Sequence, residues 1–255
     1  MQMEGIALVN SNTSFKKTVL ITGISKGIGK ALGQACLQRG YRVCGISRET
    51  PAPHLNITFE QADITTFDQV FEAVARLKAR VQHAPLDIVF LNAGTFGDPP
   101  NYAHKISSDA FLKVLTVNVA GVKATIDACL TSGWRPTLAV ASASISGKRP
   151  RPGISSYATS KAALNALIKA YQLENPDIYF LPLGLCNVRT ATHAAMVAAH
   201  EALPELDAFK QRAQQPGYVV SPEQRAEDIM AIVEKLPQLN LIKGEFYEIR
   251  ELLKT

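Results

Sequence analysis

Thr22-Gly23-Ile24-Ser25-Lys26-Gly27-Ile28-Gly29 is the stretch from which the fold is read. It follows the β-branched apolar run Thr18–Thr22 and opens a segment in which Ile28, Leu32, Ala35 and Cys36 recur on one helical face. Strand, glycine turn and helix in that order are the setting of a dinucleotide-binding turn. Gly23, Gly27 and Gly29 let the backbone bend sharply and approach a pyrophosphate, while the helix start offers unpaired N–H groups and the positive end of its dipole. Ser25, Lys26 and Ile28 complete the set of expected nucleotide contacts in the turn. Gly40 stands where this helix needs a left-handed cap.

The pattern continues outward. Short apolar runs alternate with longer segments of helical period, which predicts a parallel sheet covered on both faces. Expected strands are Thr18–Thr22, Arg42–Ser47, Ile57–Gln61, Asp87–Leu91, Pro136–Ser142, Ile178–Pro182 and Glu245–Ile249. The expectation is α/β: one Rossmann-type doubly wound domain over residues 1–255, with about seven strands. No repeat and no Pro/Gly/Ser linker divides it. Residues 1–17 read as an N-terminal extension. Residues 191–221 read as one or two short helices between loops, set to cover a site, because they follow the sixth strand and are broken at Pro204 and Pro216-Gly217.

Bulk properties narrow the function classes. A chain of 255 residues that is 47% hydrophobic can bury one large core. No uninterrupted apolar run approaches the roughly eighteen residues of a membrane span, and the first residues lack a secretory pattern, so the expected compartment is cytoplasmic. Cys36, Cys44, Cys129 and Cys186 are too far apart for a close metal pair and read as reduced packing residues. His193 and His200 lack a third nearby ligand, so no metal is expected. The formal charge is +5 but scattered, which gives no nucleic-acid footprint. Ser144 sits in Ala143-Ser144-Ile145-Ser146-Gly147 and not in a Gly-x-Ser-x-Gly elbow, against a serine hydrolase built on it.

About twenty residues past such a turn, an acidic side chain selects NAD and an arginine selects NADP. Here the second strand ends Gly45-Ile46-Ser47-Arg48. Arg48 can fork onto a 2′-phosphate, and Lys26 adds charge on the same side. NADP(H) is therefore expected over NAD(H). Glu49 dissents: it reads as a solvated neighbour of Arg48, with an NAD-binding role as the other choice.

Tyr157-Ala158-Thr159-Ser160-Lys161 places a phenol and an ammonium on one helix face. A nearby cation favours phenolate, so Tyr157 could exchange a proton with a substrate oxygen. Ser144, near the end of the strand Pro136–Ser142, could hydrogen-bond that oxygen as charge develops. Arg149 and Arg151 lie in the loop between them, either as a lure for an acidic substrate or as a solvated turn.

Taken together, Thr22–Gly29, Asp63, Asn92-Ala93-Gly94, Asn118, Ser144, Tyr157 and Lys161 resemble a classical short-chain dehydrogenase/reductase, closely over Lys17 to Tyr171 and loosely beyond. The resemblance implies hydride transfer between NADP(H) and a small carbonyl or alcohol substrate. It implies that Lys161 also holds the nicotinamide ribose and that Asn118 anchors a proton-relaying water. Asp63 and Ile64 would contact the adenine, and Asn92, Ala93 and Gly94 would shape the cofactor floor. From the residues alone, Asp63 could instead cap a helix, Asn118 could be a solvated amide, and Gly94 could only turn the chain. The resemblance further implies a homodimer or homotetramer. One departure is clear: the family's Pro-Gly and Val-x-Thr after the sixth strand correspond loosely to Pro182-Leu183-Gly184-Leu185-Cys186-Asn187-Val188-Arg189-Thr190, leaving the register open. The alternative from another class is a catalytically weak NADP(H)-binding regulatory or scaffold protein.

Overall fold

The computed structural model describes residues 15–197 and 203–254. Its strands are β1 (Thr18–Thr22), β2 (Arg42–Ser47), β3 (Ile57–Gln61), β4 (Leu86–Leu91), β5 (Pro136–Ala143), β6 (Tyr179–Gly184) and β7 (Tyr247–Glu248). They form a single all-parallel sheet in the order β3-β2-β1-β4-β5-β6-β7. The chain leaves β1 toward one edge and returns to build the other, so the switch point lies between β1 and β4, where open α/β sheets bind ligands.

Helices cover both faces, as alternating helical and strand periods require. They are α1 (Gly27–Gln38), α2 (Phe67–Arg80), α3 (Ser108–Leu115), α4 (Gly121–Thr131), α5 (Ser155–Glu174), α6 (Ala191–Val197), α7 (Pro204–Ala213), α8 (Pro222–Lys235) and α9 (Ile249–Leu252). Val70 and Leu77 of α2, Ile126 of α4 and Ile168 of α5 close one face over Leu20 and Val89. Leu32 of α1 with Ile229 and Met230 of α8 close the other over Val19, Ile21 and Ile88. Neighbours in one strand thus enter opposite cores, and the central strands read as unbroken apolar runs because both faces are dry. The continuous helical run Ser108–Thr131 reaches membrane-like mean hydropathy, 1.3, but half of that window is buried inside the fold.

Gly40 has φ +74°, and the amides of Gly40 and Tyr41 cap the end of α1 by bonding to the carbonyls of Leu37 and Cys36 at 2.9 and 3.0 Å. At the sheet's other end two strands differ from expectation. β6 runs past Pro182 to Gly184. Phe180 gives its N–H to Gln172 Oε1 and its carbonyl accepts from Gly244 N, so that side of the strand has no ladder to break, and β7 joins only at Leu183. β7 itself is shorter than expected because the chain turns into α9 at Ile249. Of the N-terminal extension, residues 1–14 lie outside the described residues; Phe15 lies under the Arg42 guanidinium, 4.5 Å from ring centroid to cation.

Candidate active site

The glycine turn is built by exclusion. Gly23 has φ +71°, and a Cβ there would sit 3.0 Å from Ala93 Cα. At Gly29 a Cβ would meet Gly23 O at 2.1 Å and Asn92 Nδ2 at 2.7 Å. Gly45 is needed one strand away, because a Cβ would come within 2.6 Å of the buried Ile24. These close approaches press the turn onto the end of β4. Thr22 joins the two strands: its Oγ1 accepts from Asn92 N and Ala93 N, both at 3.1 Å, while Asn92 Nδ2 donates to Thr22 O at 3.1 Å. Asn92-Ala93-Gly94 is thereby fixed beside Gly23–Gly29, with the Thr22 side chain as the joint. Lys26 precedes α1 without a side-chain cap, which leaves the first helical N–H groups facing outward. That open start and the glycine-walled cradle fit a pyrophosphate.

The charges beyond β2 are more balanced than the sequence suggested. Lys26 Nζ is 2.9 Å from Glu49 Oε1, and Arg48 Nη1 is 3.9 Å from Asp63 Oδ2. Glu49 therefore partners Lys26 and is not merely a solvated neighbour of Arg48. Lys26, itself exposed, holds the Glu49 carboxyl below its ordinary range. Asp63 accepts from Thr65 N at 2.9 Å and Thr65 Oγ1 at 2.8 Å, a local turn before α2, whose first residue is instead preceded by Thr66. Ile64 sends its side chain into the core, where it and its carbonyl oxygen pack against Gly121.

Ser144 leaves β5 and accepts from Ser146 N at 3.2 Å at the start of a short 3₁₀ turn, Ile145–Gly147. Gly147 lets that turn press on α5: a Cβ would lie 2.6 Å from the Lys161 carbonyl carbon. Tyr157 and Lys161 are one helical turn apart on α5, with Nζ 5.5 Å from the phenol ring centroid. Lys161 is 5% exposed and donates to Ser142 O at 2.7 Å. Burial brings its ammonium down to about 8. Burial likewise raises the Tyr157 phenol above its ordinary value, opposed by a hydrogen bond from Ser144. This is opposite to the direction expected from the sequence, in which the lysine favours phenolate; desolvation dominates.

Asn118 is fully buried in a π-helical turn, Thr116–Ala120, between α3 and α4, so it is no solvated amide. Its Oδ1 accepts from Thr95 N and its Nδ2 donates to Thr95 O, both at 2.8 Å, and to Ser160 Oγ at 2.9 Å. Ser160 passes the tie on to Tyr157 O at 2.7 Å. A Cβ on Gly94 would lie 3.2 Å from Asn118 Oδ1 and 3.9 Å from Lys161 Nζ, so that glycine lets the two side chains converge. Thr95, Gly147 and Ser160 are joints that emerge only from tertiary contacts.

After β6, Cys186 and not Gly184 takes the left-handed turn, φ +58°. Val188 bridges to Val220, and Thr190 Cγ2 lies 3.7 Å from the Cβ position of Gly27. Cys186 is accordingly a turn residue, unlike Cys36, Cys44 and Cys129, which are buried with thiols pushed up to about 12. Ahead of Tyr157 the wall is apolar. Phe96 packs on it at 5.1 Å between ring centroids, with Ile154, Ala195 and Met196 alongside. Arg149 and Arg151 are exposed. Of the proposed cover, Ala198, His200 and Ala202 lie outside the described residues; among those described, no cluster of three metal-ligating side chains occurs.

Known proteins are similar to this chain. The model of the family described as short chain dehydrogenase matches residues 17–180. The benzil reductase ((S)-benzoin forming) of Bacillus subtilis is 23% identical over 248 residues, 92% of this chain and 98% of that protein. The NADPH-dependent pterin aldehyde reductase of Arabidopsis thaliana is 28% identical over 205 residues, 69% of this chain and 77% of that protein. In three dimensions the 3-ketoacyl-(acyl-carrier-protein) reductase of Brucella melitensis, solved with NADH, superposes with a TM-score of 0.75 at 22% identity, covering 92% of this chain and 96% of its own. With the family model spanning more than half of its length, the chain belongs to the short-chain dehydrogenases.

Proposed function

We propose that this protein is an NADP(H)-dependent oxidoreductase that reduces a carbonyl, or oxidises the matching alcohol, with Tyr157 exchanging the proton. The observation that carries the reading is the convergence of Ser144, Tyr157 and Lys161 in a chain whose glycine turn leaves no room for a side chain at Gly23 or Gly29.

The bound cofactor supplies or accepts the hydride at its nicotinamide. The chain's residues do the rest. Ser144 orients the carbonyl oxygen and stabilises the charge it gains. Tyr157 donates its phenolic proton to that oxygen, and burial, which raises the phenol's pKa, keeps it protonated beforehand. Lys161 binds the nicotinamide ribose, and the buried Asn118 anchors the water through which Tyr157 is reprotonated. Gly23, Ser25, Lys26, Gly27, Ile28 and Gly29 hold the pyrophosphate; Asp63 and Ile64 border the adenine; Asn92, Ala93 and Gly94 form the floor. Arg48 and Lys26 receive the 2′-phosphate.

The apolar wall of Phe96, Ile154 and Met196 suits an uncharged aryl or alkyl carbonyl, and the likeness to a benzil reductase makes aromatic diketones the first compounds to try. Titration of the protein with NADP+ and NAD+, followed by an NADPH-oxidation screen over such carbonyls, tests the reading. NADP+ should bind at least about tenfold tighter, and Arg48→Ala should remove most of that advantage, as expected for one charge-assisted contact. Equal or tighter binding of NAD+ contradicts the cofactor assignment, and saturable binding without turnover favours a regulatory role.

A further inference from the structure

The chain between Asn187 and Val220 leaves the sheet after β6 and returns before α8, and one side chain outside it reaches both of its stems. Arg250, on α9, donates through Nε to Cys186 Sγ at 3.1 Å on the outgoing stem. Its guanidinium lies over the Tyr218 ring, 5.8 Å from the centroid, on the returning stem. Glu248 Oε1, 3.2 Å from Nη2, holds the guanidinium in place from the end of β7. Tyr218 extends the chain of contacts, its hydroxyl accepting from Arg212 Nε of α7 at 3.1 Å.

Between these two contacts the stems are stitched together. Arg189 N donates to Val220 O at 2.9 Å and Val220 N to Asn187 O at 3.2 Å, around the Val188–Val220 bridge. Thr190, next along, faces Gly27. Cys186 holds a left-handed conformation, which a residue bearing a Cβ keeps only when its surroundings enforce it. Glu248 is buried and Arg250 half-buried, so this is more than a surface ion pair. Here the same guanidinium also grips a thiol and an aromatic face far apart in sequence, so it closes a long loop.

We propose that Arg250 is a positioning residue: it pins both stems and so fixes the Val188–Thr190 strip against the glycine turn, setting how tightly the nucleotide is held. The pin is a matter of geometry in the free protein; its effect on ligand affinity rests on the nucleotide reading of Gly23–Gly29.

The test is Arg250→Met, which keeps the aliphatic stem and removes the donors, with Arg250→Lys and Tyr218→Leu beside it. Amide hydrogen exchange of the nucleotide-free protein should speed up at Arg189 and Val220 by about tenfold or more in Arg250→Met, with Leu20 and Val89 of the central sheet unchanged. The dissociation constant for NADP+ should rise by about fivefold or more. Lysine should restore little, since it cannot fork between Cys186 and Glu248. Adding Tyr218→Leu to Arg250→Met should cost less than the two single effects combined. Unchanged exchange at Arg189 and Val220 overturns the pin, and faster exchange with unaltered NADP+ affinity overturns its link to the nucleotide. Wild-type protein that fails to bind NADP+ would refute the nucleotide reading instead, and the exchange result would still decide the pin.

Discussion

Lys161 is the residue whose surroundings make the sharpest quantitative demand. Its amine is buried with one backbone partner, and burial brings it from 10.5 down to about 8. Below pH 8 the folded protein carries a buried charge that the unfolded chain keeps in water. Between 8 and 10.5 the unfolded chain binds the extra proton, so stability rises with pH; above 10.5 both forms are neutral and the penalty is gone. Lys161→Met, which also forfeits the bond to Ser142, should therefore be more stable than wild type at pH 7 by about 2 kcal/mol, with the gap closing toward pH 10.5. Urea unfolding at both pH values checks this, and a pH-independent gap would show that the charge is not the cause. At this scale Tyr157, Lys161 and Ser144 were legible as residue types at fixed spacing. The direction of the Tyr157 shift was not, because desolvation depends on what packs around the ring.

Among the elements, the β1 turn and the end of α1 contrast two kinds of glycine. Gly29 is hemmed in by backbone, whereas Gly40 has open space around its Cβ position and only a left-handed φ. Gly29→Ala should destabilise by about 3 kcal/mol or more and abolish nucleotide binding, since backbone atoms must move. Gly40→Ala should cost about 1 kcal/mol and leave binding intact. Denaturation midpoints and a nucleotide titration on both variants check the pair. The turn and α1 could be read from spacing, and β1 through β3 with their bounds. β6 could not, because Pro182 looks like a strand end until its unpaired side is known. Nor could the left-handed turn at Cys186, because it is a residue whose φ only the fold reveals.

The whole molecule is one sheet between two dry layers, and alternation along β6 shows how much it depends on both. Phe180 is fully buried under α5, stacked on Tyr171 at 5.9 Å, while Leu181 and Leu183 enter the opposite core. Phe180→Ala should cost about 3–5 kcal/mol in chemical denaturation. The alternation of strands and helices carried the architecture, while the placement of Cys186 and Tyr218 on Arg250, and of Met196 near Phe96, depends on contacts between distant segments that no local pattern encodes. The family assignment and the geometry meet at Tyr157. The most direct measurement is NADPH oxidation by Tyr157→Phe with a carbonyl that wild type reduces, alongside its NADP+ affinity. Turnover should fall by about 10²- to 10⁴-fold with NADP+ binding within about twofold of wild type; retention of most of the turnover would contradict Tyr157 as the proton donor.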